Sequence, residues 1–76
     1  MSLSTEIVKL LERSYPKIIH SGEIERFAMD MGYKASNSGR RCRELEVAGK
    51  IEVFYNSKHE AQYRYKPTVA VQQMMI

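Results

Sequence analysis

Arg40, Arg41 and Arg43 form the densest cluster of positive charge in the chain, and the polar residues Lys34, Ser36, Asn37 and Ser38 lead into it. A guanidinium is a rigid fork of donors that pairs bidentately with phosphate or with the edge of guanine, and an Asn amide does the same for adenine. Arg40, Arg43 and Asn37 are therefore the candidates for reading bases, with Arg41 on their flank. Lys34, Ser36 and Ser38 fall near the start of a helix, where free backbone N–H groups attract anions, and are candidates for phosphate. The competing account is a solvated face on which Arg40 and Arg43 pair with Glu44 and Glu46 at helical spacing. A second basic group follows at Lys58 and His59, which are placed to reach phosphate from a hairpin tip, with Arg64 on the return strand to support them. Its competing account is an ordinary charged hairpin edge that discourages sheet pairing.

Catalytic chemistry has no comparable set. An enzyme calls for a nucleophile beside a base, paired buried carboxylates or a phosphate-cradling glycine loop, and none of these patterns is present. Glu23 and Glu25 are explained by a helix dipole, and His20 and His59 lack a third partner. The single cysteine, Cys42, cannot form an internal disulfide, and no Cys/His set has zinc spacing. No metal, cofactor or small-molecule ligand is expected, and catalysis is the least favoured class. Cys42 is expected to be a small core residue, although its arginine neighbours would lower its pKa were it exposed. Of the aromatic residues, Tyr15, Tyr33, Tyr55, Tyr63, Tyr65 and Phe27 are expected mostly in the core, because most fall on apolar stripes. Phe54 is the exception, facing the other side of the hairpin, where it is free to stack on a base, a partner or the tail.

The 76 residues are 43% hydrophobic and 28% charged, which is too apolar and too varied for a disordered segment and enough for one small domain. The net charge of +3 is unevenly spread. Residues 1–33 carry four Lys/Arg against five Asp/Glu, and residues 34–66 carry eight against four. Positive charge is thus concentrated in the second half, as expected if one face meets a polyanion. Glu6 already places a charge near the N-terminus, and no run approaches the ~20 apolar residues of a membrane span, so a cytoplasmic protein in a reducing compartment is expected.

The elements that position these residues follow from periodicity. Ile7, Leu10, Leu11 and Ser14 lie at helical spacing from a Ser4 cap, and Pro16 stops that helix at Tyr15. Lys17 to His20 is short and β-branched, an extended piece able to pair as a third strand near Ile18 and Ile19. Ser21 caps a second helix with Ile24, Phe27, Ala28 and Met31 on its apolar stripe and Gly32 as its stop. A third helix runs to about Ala48, with Cys42, Leu45 and Ser38 inward and Arg40, Arg43, Glu44 and Asn37 outward, and ends at Gly49. Gly39 within it costs ~1 kcal/mol relative to Ala. Tight packing against the second helix is expected to compensate, ahead of close approach by a phosphate backbone. After Gly49 the period changes to two, so Ile51, Val53 and Tyr55 with Ala61, Tyr63 and Tyr65 form the inner face of a β-hairpin around a polar Asn56–Glu60 loop.

This order of elements resembles the winged helix-turn-helix domain, an α+β fold. Ser21-Gly22-Glu23-Ile24 followed by Phe27-Ala28 looks like the start of its second helix. Arg40 to Ile51 looks like its third helix running into the wing through an R-x-L-x-x-L-x-x-x-G-x-I pattern, with Cys42 where Leu is frequent. The resemblance covers residues 4–66, and its most specific part is Gly49-Lys50-Ile51. It implies a domain over residues 1–66 that binds double-stranded DNA as a small transcriptional regulator, with the third helix in the major groove and the wing on backbone. A minority of the superfamily binds RNA, left-handed duplexes or only proteins, so RNA, single strands or a protein partner in a larger assembly are the alternatives. The uncharged tail, residues 67–76, carries Val69, Val71, Met74, Met75 and Ile76 and is expected to support a homodimer or to pack on its own domain.

Overall fold

In the computed structural model, which describes residues 2–67, the first helix, α1, spans Leu3–Ser14 and begins before the expected cap. Ser2, not Ser4, is the N-cap, its hydroxyl accepting the Thr5 N–H at 3.1 Å. The earlier start places Leu3 in line with Ile7 and Leu11, and all three are buried. Tyr15 then turns extended ahead of Pro16 and ends the helix as expected.

The short strand β1 is Ile19–His20, within the extended piece the sequence pattern marks. α2 spans Ser21–Asp30, and its N-cap is His20 where Ser21 was expected. The His20 Nδ1 accepts the Gly22 N–H at 2.9 Å, which puts Ser21 inside the first turn. A Cβ on Gly22 would lie 3.3 Å from that nitrogen, so the glycine makes room for the imidazole. Ile24 and Ala28 are buried and Phe27 packs beside them. Met31, expected on the same stripe, is exposed, because the helix ends at Asp30 and Gly32 at φ 93° swings the chain away.

α3 spans Ala35–Val47, with Ser38, Cys42 and Leu45 buried as the pattern requires. It stops at Gly49, whose φ of 77° suits glycine. The hairpin follows as β2, Ile51–Tyr55, and β3, Ala61–Tyr65, with Ile51 opposite Tyr65 and Tyr55 opposite Ala61. β1 joins the other edge of β3, pairing Ile19 with Tyr63, so the antiparallel sheet has the order β1-β3-β2. One face of this sheet, through Ile19, Ile51 and Tyr63, closes on Ile7, Leu11, Ile24, Ala28, Cys42 and Leu45 from the three helices. The result is a small α+β domain of three helices and a three-stranded antiparallel sheet. Among the described residues no helix is long and apolar enough to cross a membrane. The tail from Thr68 onward, with the homodimer expected of it, lies outside the described residues.

Candidate nucleic-acid interface

The buried side of α3 fixes what its other side presents. Ser36, Arg40, Arg43 and Val47 recur at helical spacing opposite Ser38, Cys42 and Leu45, and all four are exposed. Among the described residues neither Arg40 nor Arg43 has a hydrogen bond or an ion pair. The pairing with Glu44 and Glu46 that would neutralise them does not form; Arg41 takes Glu44 instead, at 2.8 Å. Arg41 and Asn37 sit off this stripe, lining a hollow with Tyr33 and Ser2, Leu3 and Ser4 from the start of α1. Asn37, half-buried, lies one turn before Arg40 at the edge of this hollow.

The start of α3 also differs from expectation. None of its serines or Asn37 caps it: Lys34 occupies the N-cap position without a side-chain hydrogen bond, and the Asn37 N–H donates to the Lys34 carbonyl at 3.0 Å. Ser38 is buried, and its hydroxyl donates to the Ala35 carbonyl at 2.6 Å, which takes it off the surface. Lys34 and Ser36 remain exposed beside the helix start. Gly39 does not pack against α2 as expected. A Cβ built there meets nothing within 4 Å among the described residues.

The hairpin loop is organised by Asn56. Its Oδ1 accepts the N–H groups of Lys58 and Glu60, both at 2.9 Å, and its Nδ2 donates to Glu60 Oε1 at 2.9 Å. The same carboxylate oxygen lies 3.2 Å from His20 Nε2. Because His20 Nδ1 accepts from Gly22, Nε2 is the nitrogen that carries the proton and donates to Glu60. Asn56 first and His20 second hold the Glu60 carboxyl below its ordinary range. His59 completes the turn at φ 63°, its N–H donating to the Asn56 carbonyl at 2.9 Å. Lys58 and His59 are exposed at the tip.

Arg64 belongs to a different surface. Its Nε and Nη2 both donate to Glu52 Oε1, at 2.9 and 2.7 Å, and its guanidinium lies 5.1 Å from the centre of the Phe54 ring. These three residues share the sheet face turned away from the helices, so Arg64 does not join Lys58 and the α3 arginines. Phe54, left open to a base or a partner by the alternation, has Arg64 as its partner.

Tyr55 is the residue that sequence reasoning missed. Alternation assigns it to the core side of β2, yet it is 69% exposed because the hairpin runs past the helices there. Its inner-face neighbour Tyr63 is pushed up to about 12, chiefly by burial, with Cys42 and Tyr55 adding and Arg43 opposing. The place of Tyr55 at the loop end of the strand was the available signal. Cys42 is buried beneath and pushed up to about 12, chiefly by burial with Tyr63 opposing, so the arginines do not activate it. Among the described residues no group of three His, Cys, Asp or Glu converges to hold a metal.

No protein-family model, curated protein or solved structure matches the chain.

Proposed function

We propose that this chain is a duplex DNA-binding module of the winged helix-turn-helix kind, serving as a small transcriptional regulator. α2, the Met31–Lys34 turn and α3 form the helix-turn-helix, and the Asn56–Glu60 loop is the wing. The observation that carries the reading is the pair of unpartnered arginines on the exposed stripe of α3. Among the described residues Arg40 and Arg43 have no hydrogen-bond or ion-pair partner, and each offers a donor fork to guanine or phosphate. Lys34 and Ser36 at the uncapped helix start, and Lys58 at the loop tip, add contacts for phosphate. The module binds and does not catalyse. Fluorescence anisotropy against a random-sequence duplex tests it: binding at low salt should weaken with a log-log slope of about −0.9 per phosphate contacted. No binding at low salt refutes the proposal.

A protein partner is the second reading, favoured by Val47, which is 88% exposed on the same stripe. A partner retained from nuclease-treated extract by a chain without duplex affinity would establish it. Competition with single-stranded DNA and RNA separates the remaining nucleic-acid alternatives.

A further inference from the structure

Nothing among the described residues requires a glycine at position 39. It lies in the interior of α3, outside the positive-φ glycines, so its backbone suits any residue. A Cβ there would meet nothing within 4 Å among the described residues, so none of them excludes a side chain. A glycine within a helix nevertheless destabilises it relative to alanine. Among the described residues neither backbone conformation nor packing offsets that loss, whereas a surface brought up from outside the domain would. The surroundings identify it: Ser36 and Arg43 flank Gly39 one turn to either side, and Arg40 follows it in sequence.

We infer that Gly39 is a close-approach position, where the α3 backbone seats directly against duplex DNA while Arg40 and Arg43 reach past it to bases and phosphate. This rests on the DNA-binding reading above. A methyl group at this point would hold the helix away from the groove wall and lengthen both arginine contacts, whose strength falls steeply with distance and angle. The glycine thus sets how deeply α3 enters, and with it which base edges the arginines reach.

Gly39→Ala, Gly39→Ser and Arg40→Ala in the full chain, each followed by thermal unfolding and duplex anisotropy, test the inference. Gly39→Ala should raise the melting temperature by ~4 to 8 °C, because alanine restores helix propensity in open space. The same variant should bind duplex at least tenfold more weakly, and Gly39→Ser should also bind more weakly. A raised melting temperature with unchanged or tighter binding overturns the inference, as does a lowered melting temperature, which would mean that the fold itself needs the glycine. Loss of affinity in Arg40→Ala but not in Gly39→Ala would leave the DNA-binding reading standing and remove Gly39 from it. Wild-type chain that fails to bind duplex at low salt would remove both.

Discussion

The exposed stripe of α3 and the outer face of the hairpin carry the same kind of side chain in opposite states. On the hairpin, Arg64 gives two donors to Glu52 and covers Phe54, and the Glu60 carboxylate is shared by Asn56 and His20. On α3, Arg40 and Arg43 have no such partners among the described residues, although Glu44 and Glu46 lie within helical reach. A charge that is already paired has little to gain from a new partner, since its internal bonds must first be broken. The comparison teaches that basic residues count toward an interface only after their internal partners are subtracted. On that basis the proposed interface is α3 with the loop tip, and the outer sheet face is left out of it.

The largest effect that sharpens this contrast comes from the hidden side of α3 itself. Leu45→Ala should cost ~2 to 5 kcal/mol of stability in urea unfolding, because Leu45 is buried within the core cluster. Its duplex affinity, measured where the variant is still folded, should be unchanged. The buried Cys42 and Tyr63 give a pH-dependent counterpart. Both are raised to about 12 from 9.0 and 10.0, so the native state keeps protons that the unfolded chain releases. Their contribution is complete below about pH 9 and is lost as pH rises toward about 12. Melting temperatures recorded across that range should fall steadily, and a flat profile would mean that neither group is protected in the core.

On the exposed side of α3 the readout is reversed. Arg40→Ala and Arg43→Ala should each lose ~1 to 3 kcal/mol of duplex affinity where the arginine contacts a base, and should relax preference at that position. Urea unfolding of both variants should match the wild type. Unchanged affinity and specificity in a chain that binds DNA would mean that α3 is not the reader.

How much of this was legible differs by level. The three helices, the hairpin and its loop follow from the 3.6 and 2.0 periods and from Gly32, Gly49 and Pro16, because each signal acts over a few adjacent residues. The caps were misplaced where the decision is made by tertiary burial. Leu3 draws the start of α1 back to Ser2, and His20 caps α2 while also reaching Glu60, 40 residues away in sequence. Met31 and Tyr55 are periodic residues at the ends of their elements, where the pattern continues but the core does not. Within the site, the outward position of Arg40 and Arg43 was readable from Leu45 and Cys42. Their lack of partners was not, since Glu44 stands within helical reach of both Arg40 and Arg41 and only side-chain geometry decides which one takes it. Arg64 was legible in principle: a loop at Asn56–Glu60 sets Glu52 directly opposite it.

Two smaller predictions test the hairpin. Asn56→Ala removes the acceptor for Lys58 and Glu60 N–H and a donor to the Glu60 carboxylate. A loss of about 1 kcal/mol of stability is expected, because these bonds are solvent-accessible and exchange with water. Faster amide exchange at Lys58 and Glu60 should accompany it, with the α3 amides unaffected.

The smallest expected effect separates two basic residues of the same hairpin. Lys58, at the loop tip, should contribute one phosphate contact, so Lys58→Ala should weaken all duplex sequences alike and reduce the magnitude of the salt slope by about 1. Arg64 faces away from α3, and its pair with Glu52 is partly exposed, so Arg64→Ala should cost at most about 1 kcal/mol of stability. Its duplex affinity and salt slope should equal those of the wild type. Side-by-side salt titrations of the two variants decide the matter, since each lost phosphate contact lowers the slope independently of sequence. Should Arg64→Ala lower the slope as Lys58→Ala does, the outer sheet face also meets phosphate, and the division between paired and free basic residues no longer marks the edge of the interface.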